Sequence, residues 1–112
     1  MASMLKIGFL GAGRMASALG KGFVAAKILP AKQIIASDVM EPARAAFAKE
    51  VGGNVTDSNL EVLKFAQVVI LAVKPDHVGS VLDEIRPQFT DKHLLISIAA
   101  GVTLAKLEGA LP

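Results

Sequence analysis

The chain has 112 residues, 53% of them hydrophobic, with 12 basic and 10 acidic residues, a net charge of +2 and no cysteine. The length suits one domain, the missing cysteine excludes disulfides and thiolate metal sites, and the interspersed charges do not indicate nucleic-acid binding. Neither a transmembrane run of about 18 apolar residues nor a secretory signal is indicated, and the two histidines stand alone, so we expect a cytoplasmic protein with no membrane partner and no metal site.

Strand and helix signals alternate through the first half of the chain. The apolar run Leu5–Leu10 predicts a buried strand. Apolar residues at helical spacing then predict a helix over Arg14–Ala26. Gln33–Ser37 predicts a second strand, and Pro42, which suits the first turn of a helix, opens a second helix that stops at the glycine pair beginning with Gly52.

A short strand and a short helix follow. Val55 lies in the predicted third strand, which is short. Ser58 and Glu61 have the spacing of a capping box, in which the two side chains bond to each other's backbone N–H groups, and predict a helix through Phe65.

The second half of the chain repeats the alternation. Val68–Val73 is the most apolar run and predicts a central strand, which Pro75 breaks. A helix is predicted over Val78–Ile85, a fifth strand over His93–Ala99, and a last helix over Thr103–Leu111.

Apolar strands that alternate with helices predict a parallel sheet that is covered on both faces. Since crossovers between parallel strands are right-handed, the predicted fold is an α/β, Rossmann-type doubly wound sheet. We expect five strands in the order 3-2-1-4-5 with flanking helices, and one dinucleotide-binding domain over residues 1–112.

A glycine pattern joins the first strand to the first helix. Gly11 permits a tight turn, Gly13 lets a pyrophosphate approach the backbone, and Ala16 lets the helix pack on the strand. The free N–H groups and the positive end of the helix then face the phosphates. Gly8, within the strand, indicates a crowding neighbour, and Gly22 indicates close packing of the helix on the sheet. A tight turn without a ligand is the alternative.

Asp38 ends the second strand, where an acidic residue accepts the ribose hydroxyls of NAD and repels the 2′-phosphate of NADP. The alternative is a turn or helix-capping aspartate before Glu41. Arg44 could reach a 2′-phosphate, but its place inside the second helix favours a side chain that faces solvent.

Two stretches with small residues follow the fourth and fifth strands, Leu71–Pro75 (LAVKP) and Ser97–Val102 (SIAAGV). Ligands of doubly wound sheets bind at the carboxyl ends of strands. Pro75 holds Lys74 extended, which we expect to direct its backbone groups toward the crevice. Ordinary strand-ending turns are the alternative.

The motifs IGFLGAGRMASALGKGF, LAVKP and SIAAGVTLAKLEGAL, in this order and spacing, resemble those of pyrroline-5-carboxylate reductases over essentially the whole chain. The resemblance implies reduction of Δ1-pyrroline-5-carboxylate to L-proline with NADPH or NADH, in proline biosynthesis. It places the cofactor contacts on Leu10, Gly11, Ala12, Gly13, Arg14, Met15, Asp38, Asn59, Ala72, Val73, Lys74, Pro75, Ile98, Ala99 and Ala100.

The chain departs from that family in two respects. The family's C-terminal helical domain, which carries the substrate pocket and the dimer interface, is absent, so the 112-residue chain is expected to be inactive alone and to form homo-oligomers only through the missing domain. NADPH is the family default, but Asp38 stands where NADPH-using members often have a small hydroxyl residue, which tilts the expected preference toward NADH. We name no catalytic residue, because none has a convincing claim as the proton donor.

Two other functions remain open from the sequence. One is the coenzyme domain of a related β-hydroxyacid or F420-linked reductase. The other is a non-catalytic module that binds NAD(H) as a sensor and changes partners.

Overall fold

A five-stranded parallel sheet runs through residues 5–98, the part of the chain that the computed structural model describes. Its strands are β1 (Ile7–Leu10), β2 (Ile34–Ser37), β3 (Asn54–Thr56), β4 (Val68–Leu71) and β5 (Leu94–Ser97). They lie in the order β3-β2-β1-β4-β5, and all four pairings are parallel. The predicted order and the Rossmann-type doubly wound fold are therefore confirmed.

Four helices connect the strands: α1 (Arg14–Ala25), α2 (Glu41–Val51), α3 (Asn59–Phe65) and α4 (Pro75–Ile85). Short 3₁₀ turns precede β2 and follow α4. The prediction for α4 was wrong at its start, which lies three residues before Val78. Pro75 begins this helix rather than merely ending a strand, because its missing N–H would have no partner in the first turn.

The strands are shorter than the apolar runs that predicted them. β4 ends at Leu71, and the following residue, Ala72, donates its N–H to the Leu10 carbonyl oxygen at 2.8 Å as the chain turns away. β5 covers only Leu94–Ser97. The predicted end of the fifth strand at Ala99 and the predicted helix over Thr103–Leu111 lie outside the described residues.

The predicted capping box at α3 is not formed. Ser58 is the N-cap residue, but no side chain makes a capping hydrogen bond there. The N–H of Ser58, which Glu61 would have to reach, donates to Thr56 Oγ1 at 3.1 Å. A backbone bond from the Glu61 N–H to the Ser58 carbonyl oxygen, 3.2 Å, closes the first turn.

The sheet separates two hydrophobic clusters. On one face, Phe9 of β1 packs with residues of α1 and α2, including Phe47, whose ring meets it edge-on with the centroids 5.8 Å apart. On the other face, residues of α3 and α4 such as Val62 and Leu82 pack on the sheet. Among the described residues, β5 departs from the expectation that both faces of the sheet are covered, because Leu94 and Ile96 lie on one face and are 58% and 43% exposed.

Two glycine predictions have different outcomes. A Cβ on Gly8 would overlap Cγ1 of Val62 on α3, so the expected crowding in β1 is confirmed. A Cβ on Gly22 would meet nothing within 4 Å, so the expected close packing there is wrong. A Cβ on Gly20, which lies on the same buried face of α1 as Ala16, would instead come within 3.0 Å of Val51 Cγ2, so the close approach at this glycine is to α2 and not to the sheet.

Candidate functional site

A crevice of about 760 Å³ opens at the carboxyl ends of β1, β2 and β4, beside the N-terminus of α1. This is where a doubly wound sheet changes the direction of its strand order and where such sheets bind ligands, and the volume suits a cofactor. The crevice is lined by Gly11, Gly13, Ser37, Asp38, Val39, Met40, Ala43, Asp57, Asn59, Ala72, Val73, Lys74, His77, Ser80, Val81 and Glu84.

The glycine turn between β1 and α1 forms one wall of the crevice. Gly11 has a φ of +107°, and a Cβ on it would lie 2.9 Å from the backbone oxygen of Ala72, so any side chain would be strained and crowded. Gly13 lines the crevice and would place a Cβ in open space. Gly13 is also the N-cap of α1, where no side chain bonds to the free N–H groups. The turn therefore fits a pyrophosphate, which needs close backbone approach and N–H donors.

Asp38 connects the glycine turn to the turn after β2. Its carboxylate accepts the Ala12 N–H through Oδ2 at 3.0 Å and the Met40 N–H through Oδ1 at 2.9 Å. Asp38 is therefore a turn aspartate, as the alternative prediction had it, and it also lines the crevice. It does not cap α2, because the N-cap residue of that helix is Met40. Each carboxylate oxygen keeps acceptor capacity for a further donor.

The expected solvent-facing position of Arg44 is wrong. Its Nη1 donates to the backbone oxygen of Asp38 at 2.8 Å, and the residue is half-buried. Arg44 is one turn into α2, so its guanidinium reaches back over the start of that helix. It does not line the crevice, and it supports the turn that holds Asp38.

A chain of hydrogen bonds crosses the floor of the crevice from β2 to α4. The hydroxyl of Ser37, a residue that is 1% exposed, donates to Asn59 Oδ1. Asn59 Nδ2 donates to Glu84 Oε1 at 2.7 Å. The carboxylate can only accept, so this bond sets the orientation of the Asn59 amide and leaves it one N–H that neither partner uses.

The turn after β4 also contributes to the crevice. Lys74 is extended, with φ −63° and ψ 150°, as its position before Pro75 predicts. Its carbonyl oxygen, however, accepts the His77 N–H at 2.9 Å. That carbonyl therefore bonds within the first turn of α4, and the expectation that the backbone of Lys74 contacts the cofactor stays a prediction.

The residues that the resemblance places in the cofactor site fall into three groups. Those that line the crevice are Gly11, Gly13, Asp38, Asn59, Ala72, Val73 and Lys74. Those that are not among the lining residues are the buried Leu10 and Ala12, the exposed Arg14, Met15 and Pro75, and the half-buried Ile98. Those outside the described residues are Ala99 and Ala100. For all three groups, contact with a cofactor remains a prediction.

Sequence reasoning missed several residues that line the crevice. They are Ser37, Val39, Met40, Ala43, Asp57, His77, Ser80, Val81 and Glu84. Four of them, on α4, have the spacing i, i+3, i+4 and i+7, which places them on one helical face. This spacing could have shown from the sequence that the four residues share one face of α4. It could not have shown that this face adjoins the crevice.

The ionisable residues lining the crevice are three acids and two bases: Asp38, Asp57, Glu84, Lys74 and His77. Within residues 5–98, no three or more histidine and acidic residues come close enough together to hold a metal ion. No helix in the same range has the length and hydropathy that a membrane span requires.

Comparisons with known proteins agree with this geometry. Residues 6–101 match the family model described as NADP oxidoreductase, coenzyme F420-dependent. The whole chain is 40% identical to pyrroline-5-carboxylate reductase 3 of Mus musculus and covers 40% of that protein. Over 95% of its length the chain is 43% identical to the pyrroline-5-carboxylate reductase of Methanosarcina acetivorans, of which it covers 39%. It thus spans about two fifths of these relatives.

Two solved structures resemble the fold closely. The Plasmodium falciparum pyrroline carboxylate reductase with NADP bound has a TM-score of 0.81 and 34% identity, with 96% of this chain and 38% of that one covered. The pyrroline-5-carboxylate reductase of Coxiella burnetii has a TM-score of 0.89 and 31% identity, with 97% and 40% covered.

Proposed function

Because the chain belongs to the family described as NADP oxidoreductase, coenzyme F420-dependent, we propose that it is the coenzyme-binding domain of a pyrroline-5-carboxylate reductase. Such an enzyme reduces Δ1-pyrroline-5-carboxylate to L-proline with hydride from NAD(P)H, the last step of proline biosynthesis. The observation that carries this proposal is the open space at Gly13, where the N-terminus of α1 faces a crevice large enough for a cofactor.

In this proposal the crevice binds the dinucleotide in extended form. The N–H groups at the start of α1 receive the pyrophosphate. The Asp38 end receives the adenosine, with the exposed apolar side chains of Val39 and Met40 beside it. The small residues at the end of β4, Ala72 and Val73, leave room for the flat nicotinamide ring.

The described residues bind and orient the cofactor, and the bound nicotinamide supplies the hydride. None of them is assigned as the donor of the proton that an imine needs before it accepts hydride. We propose that the proton donor, the substrate pocket and the contacts for a homo-oligomer belong to the part of the enzyme that the relatives have beyond this length.

We further propose that the domain favours NADH over NADPH. The Asp38 carboxylate can accept hydrogen bonds from ribose hydroxyls, whereas a 2′-phosphate there would bring like charges together. The Arg44 guanidinium bonds to the Asp38 carbonyl oxygen and is not among the residues that line the crevice, so in this proposal it supports the turn and does not bind a 2′-phosphate. NADP is the cofactor named for the Plasmodium relative, so this preference is a difference from it.

The family is described as coenzyme F420-dependent, which keeps an F420-linked reductase as the second candidate. The identities of 40% and 43% to pyrroline-5-carboxylate reductases favour the imine substrate.

Calorimetry on Gly13→Val, with Gly22→Val as the matched control, tests the proposal. Neither glycine has an atom within 4 Å of its added Cβ, but only Gly13 lines the crevice. We expect the Gly13 variant to lose binding of NADH and NADPH while the Gly22 variant keeps both, with native circular dichroism in each. Undiminished binding by the Gly13 variant would refute the pyrophosphate site.

A further inference from the structure

We propose that Glu84 of α4 is a second determinant of cofactor choice and disfavours the 2′-phosphate of NADPH at the adenosine end of the crevice. The inference deepens the proposed dinucleotide binding and rests on it. It follows from the hydrogen-bonded chain that joins Glu84 to β2, and it assigns a role to a residue that no sequence motif singled out.

Glu84 is tied to the adenosine end through Asn59. Its Oε1 accepts the Asn59 Nδ2–H at 2.7 Å, and Asn59 Oδ1 accepts the hydroxyl of Ser37, the residue immediately before Asp38. Ser37 is buried and its Oγ also lies 3.4 Å from the Phe9 carbonyl oxygen. The amide of Asn59 is therefore held from both ends, and its orientation depends on Glu84.

This arrangement brings the Glu84 charge next to the remaining N–H of Asn59. A hydroxyl that accepts this N–H gains a hydrogen bond, and because it is uncharged the Glu84 carboxylate does not repel it. A phosphate bound there gains the same hydrogen bond but places its negative charge one amide group away from Glu84.

The two basic residues that line the crevice lie toward the start of α4, and Arg44, which is outside the lining, bonds to the Asp38 carbonyl oxygen. Asp38 and Asp57 line the same crevice and add to the negative potential. Lys74 is the N-cap of α4, and His77 is in its first turn, whereas Glu84 is two turns further along the helix. A 2′-phosphate at Asn59 would therefore meet at least two carboxylates.

The experiment removes the charge of Glu84 and keeps the hydrogen bond. In Glu84→Gln the amide oxygen can still accept from Asn59. We expect the ratio of NADPH affinity to NADH affinity to rise about tenfold, the effect of a doubly charged phosphate near one carboxylate in a water-like dielectric. The ratio is measured by calorimetry on the full 112-residue chain.

Asp83→Asn is the matched control, because it makes the same charge change one residue away on α4, at a position outside the crevice lining. We expect no change in the ratio there. Salt gives a readout that a merely structural role would not move: in the unsubstituted chain the ratio should rise between low salt and about 0.5 M sodium chloride, and in Glu84→Gln it should rise less.

The outcomes separate this inference from the proposed function. If the unsubstituted chain binds neither dinucleotide, the proposed function fails. If it binds them and Glu84→Gln, with native circular dichroism, leaves the ratio and its salt dependence unchanged, the role of Glu84 is refuted while dinucleotide binding stands. An equal rise in Asp83→Asn would also refute it, because the effect would then come from net charge alone.

Discussion

Asp38 should stabilise the ligand-free protein, since its carboxylate bonds to two backbone N–H groups that belong to different turns. In Asp38→Ala the N–H of Ala12, a residue only 2% exposed, loses its acceptor. A buried donor left unpaired costs about 1–3 kcal/mol. The N–H of Met40 is exposed, and water replaces its partner at little cost. We therefore expect the free energy of unfolding to fall by about 2 kcal/mol.

Urea unfolding followed by circular dichroism measures this loss, and a fall of about 8 °C in the melting temperature should accompany it for a domain of this size. Asp57→Ala is the control. Asp57 is exposed and lines the same crevice, but no hydrogen bond to its carboxylate is seen among the described residues, so its removal should change stability by less than about 0.5 kcal/mol. An Asp38→Ala variant as stable as the original chain would show that the two bonds do not hold the glycine turn.

The remaining predictions concern the glycine turn and catalysis. Gly11→Ala should lower the free energy of unfolding by about 3 kcal/mol, because the added Cβ meets backbone atoms of Ala72 at 2.9 Å and the φ of +107° is strained for alanine. Gly13→Ala, measured in the same urea titration, should change it by less than about 1 kcal/mol, and equal losses in the two variants would contradict the crowding argument. The 112-residue chain alone should not oxidise NADH or NADPH when the cyclic imine is added, because the positioning of bound reactants supplies roughly 7–11 kcal/mol of an enzyme's effect and no substrate pocket is assigned here. Steady absorbance loss at 340 nm, with copurifying host enzyme excluded, would contradict this.

The double role of Asp38 affects how cofactor choice is measured. A substitution there removes the charge that we propose to oppose a 2′-phosphate and also loosens the turn that we propose to receive the pyrophosphate. Affinities for both dinucleotides are therefore expected to fall in Asp38→Ser while their ratio moves toward NADPH. Glu84→Gln changes charge without touching the glycine turn and separates the two effects.

The order of strands and helices was determined by local sequence. Apolar runs such as the one at β1 alternate with segments of helical period, which predicts parallel strands joined by helices. Because such crossovers are right-handed, the doubly wound topology could be predicted before any contact was known. The glycine turn could also be predicted from the sequence, because glycine is the residue that readily adopts the positive φ found at Gly11.

Element ends and packing contacts were decided by tertiary structure. The apolar run of β4 continues beyond Leu71, but after Ala72 donates to the Leu10 carbonyl oxygen the chain bends at Val73 and leaves the sheet. Helical spacing places Gly20, but not Gly22, on the same face of α1 as Ala16, and only the tertiary structure shows that Val51 of α2 lies against that face.

In the crevice, some residues could be predicted from the sequence and others only from the tertiary structure. The sequence indicates Gly13 and Asp38, which adjoin strand ends and belong to a known pattern. It does not indicate that Ser37, Asn59 and Glu84 form one hydrogen-bonded chain, because they are 22 and 25 residues apart. The charge that a cofactor meets depends on which distant side chains the sheet and α4 bring to one place, and that is a property of the folded chain.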